Sequence, residues 1–259
     1  MSRSSGFPVA PRPALLAVVV TLVLASASVA AAADDGPGPL GVTSVAAATE
    51  RSARVGALFG ADRVGDLAGG HFCTASVVHS PRRNLIVTAA HCVAGHDGDL
   101  LFVPGYRDGR VPHGVWRVGR PLVPEAWTEG EDEDGDLALA PVDELDGERI
   151  EDVVGGNRFT TGAAPGAAAV TVIGYPDSRE VPLGCTGEPA AHSRTQQRVD
   201  CPDLTAGTSG SPWITGDQRV VGVLGGHERG GSTADVSYSV VLGRAAAGLY
   251  REAVAASGA

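Results

Sequence analysis

Three short segments carry a histidine, an aspartate and a serine in surroundings that suit proton transfer and nucleophilic attack. His91 follows the run Ile-Val-Thr-Ala-Ala (residues 86–90) and stands next to Cys92. The run predicts a strand, so the imidazole is expected at a strand end, where a disulfide through Cys92 could fix its position. A histidine held in this way can act as a general base, although an exposed or purely structural histidine is the alternative.

The aspartate is Asp136, which directly precedes the apolar run Leu-Ala-Leu-Ala (residues 137–140). A carboxylate joined to a buried strand costs free energy unless it is hydrogen-bonded, and an imidazole N–H is a suitable donor. Asp134 is the rival candidate, and Asp136 is preferred because it alone adjoins the strand. The rest of the acidic run from residue 129 is expected to be a solvated loop.

The serine is Ser209, within Gly-Thr-Ser-Gly-Ser-Pro (residues 207–212). Glycines on both sides allow a tight turn that exposes the hydroxyl. The same turn could direct the N–H groups of Gly207 and Ser209 at one point and so form an oxyanion hole. A Gly/Ser-rich loop without catalytic importance is the alternative.

The elements that must position these residues are short strands. Apolar runs alternate with Gly, Pro, Asn and Asp clusters from residue 55 onward, which indicates an all-β sandwich or barrel. The predicted strands are residues 75–78, 85–88, 100–103, 116–118, 137–142, 168–173, 212–214, 220–224 and 237–242. Residues 244–255 have helical spacing of apolar positions and predict a C-terminal helix.

The first 54 residues predict export. Arg3 and Arg12, an apolar stretch at 14–24 and small residues beyond it have the layout of a cleaved signal peptide, assigned to residues 1–33. Residues 34–54 are rich in Gly, Pro, Ala and Thr and are interpreted as a pro-segment or flexible linker. The mature protein is therefore expected to be secreted, extracellular and free of the membrane after signal removal, and an uncleaved anchor is the alternative.

Four cysteines lie in the exported part of the chain. An even count in an oxidising compartment favours two disulfides. The chain order suggests Cys73–Cys92 and Cys185–Cys201, out of three possible connectivities. No CxxC or HExxH pattern is present, so a metal site is not expected. A net charge of −10 argues against nucleic acid as a partner.

The three segments together resemble the signature regions of chymotrypsin-like serine proteases, and they occur in that family's order of His, Asp and Ser. The serine segment is most similar to the bacterial secreted branch. The resemblance implies a trypsin-like protease domain at residues 55–259, made of two six-stranded antiparallel β-barrels (about 55–145 and 146–259) and a C-terminal helix. It also implies a catalytic triad of His91, Asp136 and Ser209, no cofactor, and a monomeric enzyme acting on proteins or peptides.

Two positions bear on activation and specificity. Thr208 stands where animal members of the family carry an aspartate that pairs with the new N-terminus, so the resemblance does not extend to that ion-pair switch. Asp203 lies six residues before Ser209, where trypsin-like members place the acid of the substrate pocket, and Arg or Lys at P1 is one expectation. A surface aspartate is the other. The segment Val-Leu-Gly-Gly-His (residues 223–227) resembles the edge strand that pairs with the substrate backbone, so Gly225 and Gly226 are expected at the substrate pocket.

Two other functions compete with an endopeptidase. A catalytically silent protease fold could serve as a binding module, although all three triad residues are present. An esterase usually carries a Gly-x-Ser-x-Gly elbow with the serine first in chain order, which this chain lacks.

Overall fold

The computed structural model describes residue 1, residues 39–94 and residues 98–256. The predicted signal peptide therefore lies outside the described residues, apart from Met1. The strands are β1 (Thr43–Val45), β2 (Val55–Gly60), β3 (His71–Val78), β4 (Leu85–Thr88), β5 (Leu100–Pro104), β6 (Trp116–Val118), β7 (Ala138–Pro141), β8 (Arg158–Phe159), β9 (Val170–Gly174), β10 (Leu183–Gly187), β11 (Ala190–Ala191), β12 (Gln196–Asp200), β13 (Pro212–Thr215), β14 (Arg219–Val223) and β15 (Val236–Val240). The helices are α1 (Glu50–Ala53), α2 (Ala90–Val93), α3 (Glu125–Gly130), α4 (Ile150–Val154) and α5 (Arg244–Ala256). Within the described ranges, every helix is too short or too polar to span a bilayer.

Strands β2 to β7 form the first barrel. They pair antiparallel in the order β6-β5-β2-β3-β4-β7. The two edges meet where Val118 pairs with Val142 and the Gly119 N–H donates to the Pro141 carbonyl at 2.8 Å. Branched and aromatic side chains, which pack well on a pleated surface, fill its interior. Among them are Leu58, Ile86, Phe102 and Trp116.

The remaining strands form the second barrel. A six-stranded sheet has the order β1-β10-β9-β13-β14-β8, and a three-stranded sheet has the order β11-β12-β15. A bridge between Leu224 and Ser239 joins the two sheets, and Trp213 lies fully buried between them. The expected all-β architecture of two barrels is confirmed. The second barrel differs in detail from the expected six antiparallel strands, because residues 39–94 and 98–256 give it nine strands, and β8 pairs with β14 in parallel.

The segment before the first barrel belongs to the second one. In β1, Thr43 pairs with Cys185 and Val45 with Leu183, and the Thr43 hydroxyl donates to the Pro202 carbonyl at 2.5 Å. Helix α1 follows, with Thr49 as its N-cap. Residues 43–53 are therefore part of the fold, whereas sequence analysis assigned them to a pro-segment or flexible linker. Backbone pairing to β10 orders a segment that has little apolar surface of its own.

Helix α5 returns from the second barrel to the first. It spans Arg244–Ala256, close to the predicted 244–255. Its Leu249 belongs to an apolar cluster that also contains Val87 and Leu139 of the first barrel and Ile214 of the second. The Tyr250 hydroxyl donates to the His79 carbonyl at 2.6 Å. The two barrels therefore share one core cluster, and β1 and α5 each pack on the barrel that is farther from them in sequence.

Candidate active site

Asp136 holds His91 through two hydrogen bonds. The His91 N–H donates to Asp136 Oδ1 at 3.0 Å, and His91 Nδ1 lies 2.7 Å from Asp136 Oδ2. The Gly226 N–H donates to the same Oδ2 at 2.8 Å. Because an ionised carboxylate only accepts hydrogen bonds, Nδ1 is the donor in this pair. In a neutral imidazole held in this way, the lone pair is on Nε2, which can then accept a proton.

The carboxylate of Asp136 is fully buried. Three N–H donors offset the cost of removing it from water. Gly225 makes this burial possible, because a Cβ atom there would lie 2.8 Å from Asp136 Oδ2. Gly225 and Gly226 therefore contact the aspartate. Neither glycine lines the cavity beside Ser209 that is described below, although both were expected at the substrate pocket.

A disulfide and an aromatic side chain fix the surroundings of His91. Cys92, the next residue, is bonded to Cys73 of β3, and Cys185 is bonded to Cys201 in the second barrel, which are the pairings that the chain order suggested. Trp127 of α3 is buried, with its ring centroid 6.5 Å from that of His91. Cys73, His91 and Cys92 are the one cluster of potential metal ligands among the described residues. Both sulfur atoms are engaged in the disulfide, so this cluster cannot bind a metal as it stands.

Ser209 lies half-buried in a loop that turns at two glycines with positive φ, Gly207 (+89°) and Gly210 (+85°). The Gly210 N–H donates to the Leu224 carbonyl at 2.7 Å. The N–H groups of Gly207 and Ser209 have no acceptor in residues 39–94 and 98–256. Two unpaired donors on either side of one residue are what an oxyanion hole requires.

A cavity of about 380 Å³ adjoins Ser209. Its walls come from the residues before the serine and from the segment after β14, and they are Leu204, Thr205, Ala206, Thr208, Ser209, Leu224, Glu228, Arg229, Gly230, Gly231, Ser232, Thr233 and Ala234. Asp203 is exposed, with φ of +63°, and does not line the cavity. Its neighbour Leu204 takes the buried position instead. The expectation that Asp203 forms the acid of a substrate pocket is therefore not met by this geometry.

The acidic residue among those that line the cavity is the exposed Glu228, which was not among the predicted site residues. A hydrogen bond from the Ser232 side chain is the main reason that the pKa of Glu228 is below its usual value. Glu228 and Arg229 both adopt left-handed backbone conformations, with φ of +50° and +54°. Two successive non-glycine residues with left-handed backbone conformations are uncommon, and such backbone strain occurs preferentially at functional sites.

Two acidic residues hold this strained segment in place. Glu133 accepts the Glu228 N–H at 2.7 Å, and its other oxygen lies 3.2 Å from His227 Nδ1. Glu131 pairs with Arg229 at 2.8 Å. The acidic run before Asp136 is exposed to solvent, as expected, and two of its residues also hold the segment at residues 227–229. These contacts fix the position of Glu228 relative to Asp136.

The decisive comparison is with protein families. The family model described as a trypsin-like peptidase domain matches residues 73–223, which is more than half of the chain and includes His91, Asp136 and Ser209. The chain belongs to the trypsin-like peptidase family. No curated protein sequence matches this trypsin-like chain.

Solved structures of proteases resemble this family member over most of its length. The protease Anisep from Arthrobacter nicotinovorans is 25% identical, with a TM-score of 0.70 over 83% of this chain and 100% of that one. The thermostable serine protease AL20 from an extremophilic microorganism is 24% identical, with a TM-score of 0.67 over 80% and 99% of the two chains. A Glu endopeptidase is 19% identical, with a TM-score of 0.66 over 85% and 99%. The last two likenesses concern the fold alone.

Proposed function

We propose that this trypsin-like chain is a secreted serine endopeptidase in which His91, Asp136 and Ser209 form the catalytic triad. The observation that carries the proposal is the buried Asp136 carboxylate, hydrogen-bonded to both the backbone and the ring of His91. This arrangement leaves Nε2 of His91 as the base. The serine loop with its two unpaired N–H groups supplies the other half of the chemistry.

The reaction proceeds through an acyl-enzyme. Ser209 Oγ attacks the peptide carbonyl carbon while Nε2 of His91 takes the hydroxyl proton, and Asp136 stabilises the imidazolium that forms. The N–H groups of Gly207 and Ser209 bind the oxyanion of the tetrahedral intermediate. The imidazolium then protonates the leaving amine as the C–N bond breaks, and water hydrolyses the ester by the same steps. No metal or cofactor enters this sequence.

The test is cleavage mapping on a mixed peptide library by mass spectrometry, using the purified mature form and its Ser209→Ala variant. Removing the nucleophile is expected to lower kcat about 10⁵- to 10⁶-fold, because no other group can form the acyl-enzyme. Circular dichroism would show that the variant keeps its fold. An absence of cleavage by the folded wild-type protein would contradict the proposal and favour a protease-fold binding module.

The same library reads out the P1 preference, which we propose is for Arg or Lys through Glu228. The cavity beside Ser209 has apolar walls at Leu204 and Leu224, and Glu228 carries the carboxylate that lines it. Arg229 is already paired with Glu131, so its charge does not neutralise the cavity.

Glu228→Gln is expected to reduce the preference for Arg over Leu at P1 about fivefold, the size expected for one exposed charge pair. Asp203→Asn is the matched control, because it removes a charge from the residue that lies outside the cavity. Ratios of kcat/KM on paired substrates measure both effects. A loss of the Arg preference in Asp203→Asn, with none in Glu228→Gln, would return the assignment to Asp203.

A further inference from the structure

The segment that carries Ser209 contains no charged residue, Thr-Ala-Gly-Thr-Ser-Gly at positions 205–210. Thr208 makes only local bonds: its N–H and its hydroxyl both reach the Thr205 carbonyl, at 3.1 and 2.6 Å. An ion pair therefore does not hold the peptides on either side of Gly207, although oxyanion donors must keep a fixed position before the substrate arrives. Some uncharged group has to supply that support.

Thr74 of β3 makes the contacts that meet this need. It is fully buried, and its hydroxyl donates to the Gly207 carbonyl at 3.0 Å while accepting the Tyr175 N–H at 2.9 Å. Its own N–H donates to the Ser209 carbonyl at 2.8 Å. Its carbonyl accepts the Thr88 hydroxyl at 2.8 Å. One residue of the first barrel thus bonds to both residues that carry the proposed oxyanion donors.

The segment behind Gly207 is held from the same strand. His71, also in β3 and buried, bonds through Nε2 to the Pro176 carbonyl at 2.9 Å. The Asp177 N–H donates to the Ala206 carbonyl at 2.8 Å. Packing here is close, because a Cβ atom on Gly207 would lie 2.6 Å from the Tyr175 carbonyl oxygen. Residues 175–177 therefore pack against the serine loop, and the Thr74 hydroxyl forms hydrogen bonds to both segments.

We propose that Thr74 is the positioning residue of the oxyanion hole, which it holds by bridging the Tyr175 N–H and the Gly207 carbonyl. This proposal rests on the proposed function of Ser209 and Gly207. Thr74 touches neither the substrate nor the reacting atoms, and it acts through the orientation of the peptides next to Gly207. Its loss is expected to reduce binding of the transition state more than binding of the substrate.

The test compares Thr74→Val, which keeps the shape and removes the hydroxyl, with Thr74→Ser, which keeps the hydroxyl. Thr74→Val is expected to lower kcat about 10- to 100-fold, below the 10²- to 10³-fold effect of deleting an oxyanion donor outright. KM is expected to stay within about threefold, and Thr74→Ser to retain most of the wild-type kcat. A peptide boronate, whose tetrahedral adduct places an oxygen in the oxyanion hole, is expected to bind Thr74→Val more weakly by a factor similar to the loss in kcat.

Thr171→Val is the matched control. The Thr171 hydroxyl bonds to that of Thr186 at 3.0 Å between β9 and β10, away from the serine loop, so its loss is expected to leave kcat unchanged. If Thr74→Val does not fold, Thr74→Ala is compared with Thr74→Ser, since these two differ by the hydroxyl alone, and a tenfold gap in kcat is expected. Equal kcat values in the pair that folds, in an enzyme that Ser209→Ala inactivates, would overturn the role of Thr74 alone. A wild-type protein that does not cleave peptides would overturn the proposed function.

Discussion

Asp136→Asn is expected to lower kcat about 10⁴-fold with little change in KM. The two carboxylate oxygens face three N–H donors, from the His91 backbone, the His91 ring and Gly226. An amide has one oxygen, so either orientation turns its NH₂ group toward a backbone N–H. The introduced amide also lacks the negative charge that stabilises the imidazolium. Steady-state kinetics on a peptide cleaved by the wild-type enzyme measures the loss.

Asp134→Asn is the control for this assignment. Asp134 is exposed and accepts a hydrogen bond from Gln196 Nε2 at 2.8 Å, so it has no contact with His91 through which to act. Its kcat is expected to stay within about threefold of wild type. If Asp134→Asn were inactive and Asp136→Asn active, the assignment of the triad aspartate would be reversed.

Gly210→Ala is expected to reduce the free energy of unfolding by about 2 to 5 kcal/mol, because the added methyl group both strains the backbone and overpacks the site. The φ of Gly210 is +85°, and a Cβ atom there would lie 2.0 Å from the Thr74 carbonyl oxygen and 2.2 Å from the Thr88 hydroxyl oxygen. The chain must move where it carries Ser209, so kcat is expected to fall with stability. Denaturant unfolding and kinetics on the same preparation measure both.

Gly216→Ala is the matched glycine substitution. Gly216 is exposed in the turn between β13 and β14, has no positive φ, and would place its Cβ atom in open space. Its change in stability is expected to stay within about 0.5 kcal/mol, as at most surface sites. A loss of stability as large as that of Gly210→Ala would show that general glycine flexibility, and not close packing against Thr74, causes the effect.

The sequence locates the candidate site well because its residues stand in local patterns. His91, Asp136 and Ser209 each adjoin an apolar strand, and such strands are readable from residue types alone. The nine predicted strands correspond to nine of the strands in the structure, two of them, 85–88 and 116–118, with the same bounds. The fold class follows from their number, their short length and the turn residues between them.

What the sequence did not predict depends on contacts between distant segments. Strand β12 reads Gln-Gln-Arg-Val-Asp, and both glutamines are buried because Gln196 bonds to Asp134 and Gln197 to the Val221 carbonyl. No local pattern predicts a buried polar strand of this kind. The sequence also did not predict that Leu204 lines the cavity and Asp203 does not, because this depends on the left-handed backbone conformation of Asp203. Nothing in the sequence distinguishes Glu133 from the other acids of its run, because its role depends on accepting the Glu228 N–H.

Strand β1 and helix α5 each pack on the barrel that is farther from them in sequence, and this limits the order in which the fold can be completed during synthesis. Strand β1 is made early but pairs with β10, some 140 residues later, and the first barrel gains its packing partner α5 only from the last residues of the chain. Such distant pairings give a high contact order and slow folding. A growing chain therefore holds His91 and Asp136 long before it holds the serine loop and α5. The proposed active site is therefore expected to be complete only after the serine loop and α5 have both been synthesised.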